Sequence, residues 1–200
     1  DKSGRRGGTI IVFSSGNGGV GGPAGKDLLA YPGTYQDGQL GEYHPLRGHK
    51  GQFYEGGIRV PAFVNWPGRI RPGRVAAPIH AMDWMPALAR LAGYEPPAGA
   101  KWDGADAWPW LAGTGAAAPR DLYWKGPNGR AHALRSGDWK LVAHEGRPGQ
   151  PGRVELFHPG EDPHEQKDRS AGEKAVVERL LARQRALDDD AVVPRRPAAG

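Results

Sequence analysis

Pro45-Leu46-Arg47-Gly48-His49-Lys50-Gly51-Gln52-Phe53-Tyr54-Glu55-Gly56-Gly57-Ile58-Arg59-Val60-Pro61 decides how the rest of the chain reads. It packs three cations and a carboxylate among four glycines and runs into Ile58–Trp66, an apolar run that reads as a strand. Upstream, Thr9-Ile10-Ile11-Val12-Phe13 is a second continuous apolar run. Strands apolar on both faces belong to parallel sheets covered on both sides, so two strands of a buried parallel sheet are expected. A sheet usually has about five strands, so most of this one is expected to lie upstream of Asp1. Between the two runs, residues 14–57 hold thirteen glycines and show no helical period. Loops of that length are functional or disordered.

Beyond Trp66 a helix is expected. Ala81, Trp84, Met85, Leu88, Leu91 and Ala92 share one face at helical spacing, Asp83 is the expected N-cap and Gly93 the stop. Residues 94–120, rich in Pro, Gly and Ala, read as a linker. The second half reads as a small antiparallel α+β unit: Arg130–Arg135, Asp138–Val142 and Arg153–Phe157 alternate, with Ser136-Gly137 as a turn. Ser170 and Glu173 have capping-box spacing ahead of an amphipathic helix carrying Val177, Leu180, Leu181, Gln184 and Leu187. The tail from Asp188 to Gly200 is expected to fray. The expected domains are therefore 1–93, a boundary at 94–120, and 121–200.

Composition excludes several classes. The absence of cysteine removes disulfide scaffolds, thiolate metal sites and cysteine nucleophiles. No apolar run reaches the length of a membrane span. The net charge of +5 sits wholly in residues 1–93, where a solvated basic surface is the simplest account. Arg5-Arg6-Gly7-Gly8 is a single basic patch without interleaved aromatics, so no nucleic-acid partner is expected. Gly16-Asn17-Gly18-Gly19-Val20-Gly21 matches a dinucleotide pattern, but Pro23, Gly25 and Tyr31-Pro32-Gly33 deny it the helix such a site requires. Gly25-Lys26 is not followed by Ser or Thr, so there is no Walker loop. His44, His49 and His80 stand singly, without ligand spacing.

The quoted segment resembles the sulfatase family, whose members carry a PLRGxKxxxxEGGxRVP-like element leading into a strand. Further stretches resemble the family in the same order. Ile11–Gly19 is similar to a strand ending in Asp-Asn-Gly-Gly, and Asp83–Gly93 to a D-x-x-P-T-x-x-x-L-x-G helix with Ala87 at the threonine. Asp103-Gly104 matches a later turn, Arg135–Val142 an R-x-G-x-W-K-L strand, and Leu156 through Glu165 an L-[YF]-x-x-x-x-D-P-x-E element. Asp83-Trp84, Asp103–Trp108 and Ala191-Val192-Val193-Pro194 are similar to the arylsulfatase B-like branch. The resemblance implies the C-terminal part of an alkaline-phosphatase-like α/β domain followed by a small antiparallel α+β subdomain.

It also implies hydrolysis of sulfate esters, with sulfated carbohydrate as a candidate substrate; the compartment stays open, periplasmic and secreted settings included. Family members use a formylglycine made from the Cys or Ser of a C/S-x-P-x-R motif, a calcium ion held by acidic residues and an Asn, and a lysine on the sulfate. Hard oxygen donors suit calcium, and fixed cations stabilise charge on the transferring group. By resemblance, Lys50 is the catalytic and sulfate-binding lysine and Asn17 the metal ligand. Two positions depart from the pattern. Gly16 stands where the family has Asp, and no Ser begins an S-x-P-x-R sequence, so the formylglycine is expected upstream. Asn17 also reads as a turn former, and Lys50 as an exposed lysine. Arg47 and Glu55 read as holding the loop, Trp84 and Trp139 as core. Gly16 keeps open a degenerate relative that binds sulfated glycans, and a phosphate or phosphonate ester hydrolase of the same superfamily is a further alternative.

Overall fold

A computed structural model describes residues 2–19, 46–126, 129–146, 148 and 151–191. Val20-Gly21, Gly25-Lys26, Tyr31-Pro32-Gly33, His44, Pro45 and Val192-Val193-Pro194 lie outside the described residues. The elements in chain order are β1 (Ile11–Ser14), α1 (Glu55–Ile58), β2 (Ala62–Asn65), α2 (Trp84–Leu91), α3 (Trp108–Ala112), β3 (Asp121–Lys125), β4 (Ala131–Ser136), β5 (Trp139–His144), β6 (Arg153–Phe157) and α4 (Lys174–Asp190). Contacts group the chain into two units: residues 1–15 with 61–119, and residues 16–60 with 120–200. The described parts of the Gly-rich segment, 16–19 and 46–57, thus group with the C-terminal sheet rather than with the strands that flank the segment.

In the first unit β1 and β2 pair antiparallel, with Phe13 opposite Phe63 and their rings stacked at 5.2 Å. The expected parallel pairing is corrected: the two runs are neighbours in a two-stranded ribbon with both faces open, and Ile11, Val12, Phe13 and Phe63 are exposed. The second run yields a strand only over Ala62–Asn65, because Glu55–Ile58 is already helical. Helix α2 ends as expected. Gly93, at φ 72°, donates to Arg90 O, and Tyr94 N donates to Ala89 O, a Schellman closure.

The expected buried face of α2 is not buried. Met85 and Leu88 are exposed, and Pro86 and Ala87 lie inside. Asp83 makes no side-chain cap to α2; its fully buried carboxylate accepts from His80 N (2.6 Å) and Ala105 N (2.9 Å). The D-x-x-P helix and the later Asp-Gly turn are therefore one hydrogen-bonded unit. Residues 94–120, read as a linker, include α3, whose Trp108 packs on Trp66 at 5.7 Å.

The second unit is a four-stranded antiparallel meander, β3-β4-β5-β6. The β4–β5 hairpin turns through Gly137, at φ 59°, as its sequence requires. Strand β3 has no counterpart in the sequence reading. Alternation along the strands divides the sheet: Leu134, Leu141 and Leu156 pack on Leu180 of α4, while Ala133, Val142 and Phe157 pack on Tyr54. Trp139, expected in the core, is half-buried against the first cluster, and Trp84 is half-buried too.

Helix α4 starts at Lys174, with Glu173 making no side-chain cap, so the Ser170–Glu173 box is not formed. The Asp168 carboxylate instead accepts from Ser170 N and Leu156 N and fixes the approach as a turn. Burial alone would raise the Asp168 carboxyl, but those amides outweigh it and hold it below the usual range. Asp188 does not fray either: within α4 it accepts from Tyr123 Oη (2.9 Å) and Lys125 Nζ (2.5 Å).

Removing a buried acceptor leaves its donors unsatisfied, at about 1–3 kcal/mol. Asp83→Ala is therefore expected to speed amide exchange at His80 and Ala105; unchanged protection at both amides would contradict the role given to this carboxylate.

Candidate functional site

The turn Gly16-Asn17-Gly18-Gly19 and the segment 46–58 are joined through their backbones. Gly18 N donates to Gly57 O (2.9 Å) and Lys50 N to Gly19 O (2.8 Å). Their approach leaves no room for side chains: a Cβ on Gly18 would lie 1.7 Å from Gly56 O, and one on Gly56 would lie 2.4 Å from Gly48 O. Gly16 differs. A Cβ there meets nothing within 4 Å, and its φ is not in the left-handed region. Asn17 and Lys50 are exposed on this joined backbone, Lys50 in a turn closed by Gln52 N on His49 O (2.9 Å).

Charge holds the segment on the sheet. Lys140 Nζ of β5, fully buried, lies 2.8 Å from Glu55 Oε1 and 2.8 Å from Glu165 Oε1. Glu165 Oε2 also accepts from Glu55 N at 2.6 Å. Arg47 bridges Glu165 O and Glu155 Oε1, each at 3.1 Å, and its guanidinium lies 4.0 Å from the Tyr54 ring centroid. Glu155, buried in β6, also takes Arg153 at 2.6 Å and the Tyr54 hydroxyl. Burial, and then the Glu155 carboxylate beside it, push the Tyr54 phenol up to about 12. Burial pushes the Glu165 carboxyl upward as well, against the pull of Lys140. Arg47 and Glu55 are thus holding groups, as read from the sequence.

A calcium ion needs several oxygen donors. Among the described residues no three His, Asp or Glu side chains are grouped to hold a metal ion, and Gly16 brings no carboxylate to Asn17. These residues alone do not fit calcium.

The sulfatase family profile matches residues 1–94. The chain is 36% identical to steryl-sulfatase of Mus musculus over 137 residues, covering 66% of this chain and 21% of that protein. It is 29% identical to arylsulfatase J of Mus musculus, covering 94% of this chain and 36% of that one. Among solved structures, Ps i-CgsB in complex with k-i-k-neocarrahexaose superposes with a TM-score of 0.71 at 27% identity, over 93% of this chain and 38% of the other.

Residues 1–94 carry a sulfatase-family domain, and the chain is similar to sulfatases.

It spans about a fifth to a third of the length of these curated relatives. Its fold is the C-terminal part of the alkaline-phosphatase-like α/β domain with an antiparallel subdomain. Three of the sulfatase-like stretches meet at one point: Glu55 of the EGG element, Lys140 of the W-K-L strand and Glu165 of the D-P-x-E element form the buried ion cluster. The sequence reading quoted all three stretches without joining them. The available signal was a lysine and two glutamates inside motif words that end in core positions.

Overpacking typically destabilises by about 1–3 kcal/mol, and surface changes by less than about 0.5 kcal/mol. Gly18→Ala and Gly56→Ala are expected to destabilise this unit by at least the former, and Gly16→Ala by no more than the latter, in urea unfolding. Equal effects at all three positions would refute the packing described.

Proposed function

We propose that this chain is the C-terminal part of a sulfuric ester hydrolase of the arylsulfatase type, and that residues 1–93 complete its catalytic α/β domain. The observation that carries the reading is the joined pair of loops, in which Lys50 and Asn17 share one hydrogen-bonded backbone within the matched segment. In this reading Lys50 places its ammonium on a sulfate oxygen, where a fixed cation stabilises the charge that develops as the ester bond breaks. Among the described residues, Asn17 is the side-chain oxygen offered to a family-type calcium ion. The carboxylate ligands and the formylglycine are supplied from residues outside this chain, since it holds no cysteine and no S-x-P-x-R sequence.

Sulfated carbohydrate is the proposed substrate class, supported by the neighbour solved with a neocarrahexaose. The names arylsulfatase A and arylsulfatase J among the relatives support sulfate esters as the bond cleaved. The arylsulfatase B-like branch rests on Asp83-Trp84 and Asp103–Trp108. No helix among the described residues is long and apolar enough to cross a membrane. Gly16 favours one competing reading, a relative that binds sulfated glycans without cleaving them.

Two experiments decide between them. The 200-residue chain alone is expected to leave a chromogenic aryl sulfate uncleaved, whereas in the intact enzyme Lys50→Ala is expected to lower turnover by ~10²–10³, as loss of one fixed stabilising donor does. Turnover by the chain alone, or full turnover by the variant, overturns the assignment. Calcium affinity rises with the number of charged ligands, and Gly16 has room for a side chain. Gly16→Asp in the intact enzyme is thus expected to tighten calcium binding in calorimetry. Unchanged affinity would show that this turn is not the metal-binding one.

A further inference from the structure

We infer that Lys140 is a positioning residue for Lys50 and Asn17, acting through Glu55 and Glu165, an inference that rests on the function proposed above. An ammonium with 0% exposure is costly to bury. On its sheet face Val142 in β5, Ala133 in β4 and Phe157 in β6 are apolar, and Arg135 and Glu155 are the charged neighbours. Replacing the whole cluster by apolar side chains of similar volume is often neutral or stabilising, whereas removing the ammonium alone leaves its carboxylates buried and unpaired. What the ion cluster adds is direction, because it accepts only one placement of Glu55.

Glu55 opens α1, and the next two residues carry the site. Gly56 N donates to Arg47 O (2.7 Å), and Gly57 O receives Gly18 N from the Asn17 turn. The Asn17 turn in turn receives Lys50 N at Gly19 O. A displaced Glu55 therefore displaces both candidate residues. The other arm is under tension: Glu165 holds a left-handed backbone at φ 53°, which a side chain keeps only where its surroundings over-determine it. Asp162 O, Arg47, Lys140 and Glu55 N all bond it.

The groups facing Lys140 are Glu55, with Arg59 at 3.7 Å on its other oxygen; Glu165; Arg135, paired opposite on β4; and, one pair along on β6, Glu155 with Arg47, Arg153 and the Tyr54 hydroxyl. Without the ammonium, Glu55 and Glu165 become two carboxylates sharing one buried site. Like charges so placed do not both ionise at low cost. They separate at alkaline pH and move α1, and at acid pH one keeps a proton and bridges the other.

The test is amide exchange of this chain as wild type, Lys140→Met and Lys140→Met/Glu165→Gln, expressed as protection against intrinsic rates at about pH 8 and about pH 5. In Lys140→Met the Gly18 and Lys50 amides are expected to lose protection at the higher pH and regain it at the lower. The double variant, with one carboxylate and an amide donor, is expected to keep it at both. Leu141 and Leu180, on the opposite face of the sheet, are expected to stay protected throughout. Unchanged protection at Gly18 and Lys50 overturns the inference. So does loss everywhere in both variants, which would make Lys140 a core stabiliser only.

In the intact enzyme the same single substitution is expected to lower kcat by about 10- to 100-fold with little change in KM, as a small misplacement of catalytic groups does. Exchange as predicted beside a wild-type enzyme that cleaves no sulfate ester would uphold the positioning and sink the sulfatase reading instead.

Discussion

One buried ammonium organises the C-terminal unit. Lys140 joins Glu55, 85 residues before it, to Glu165 on the far side of β6, and Glu55 and Glu165 bond each other directly across 110 residues of chain. No local propensity could bring these stretches together. Desolvating three charges is unfavourable, and pairing offsets it: the ammonium lies 2.8 Å from each of two carboxylates, one Glu165 oxygen accepts a backbone amide, and Glu55 is also paired with Arg59. Arg47 repeats the device a few ångströms away on Glu155, with Tyr54 as both its aromatic floor and a hydrogen-bond donor to the same carboxylate.

The site inherits its shape from this clamp and from glycine. Three backbone strands of the loop pair pass so close that Gly18 and Gly56 admit no Cβ, which turns charge placement at Glu55 into placement of Asn17 and Lys50. The division of labour is physical. Buried ion pairs hold Glu55, while Lys50 and Asn17 are exposed on the backbone joined to it.

How much of this was legible depended on the distance over which each signal acts. The Pro45–Pro61 words gave away the family, and within them Gly48, Gly56 and Gly57 are fixed by close contacts inside the segment itself. The β4–β5 hairpin was legible from Ser136-Gly137, since its turn chemistry is local. Lys140 was not: in an alternating strand a lysine reads as a solvent-facing residue, and only carboxylates far away in sequence draw it inward. Asp83 has the composition of an N-cap for α2, yet its carboxylate accepts from His80 N before it and from Ala105 N, 22 residues on. The parallel sheet inferred for the Ile11 and Phe63 runs failed because apolar continuity carries no strand direction, and here both runs stand exposed in an antiparallel ribbon. The apolar stripe of α2 was real as a pattern, but a pattern does not name its partner, and Met85 and Leu88 stand exposed.

The most direct test of the clamp is a double-mutant cycle between Lys140 and Glu55, with Lys140→Met, Glu55→Gln and the pair compared in urea unfolding of this chain. Residues in one ionic network couple by about 0.5–3 kcal/mol, whereas independent sites add to within about 0.5 kcal/mol. The account predicts coupling toward the upper end of that range, the double variant being far less destabilised than the singles sum to. Additivity of the two substitutions would contradict it.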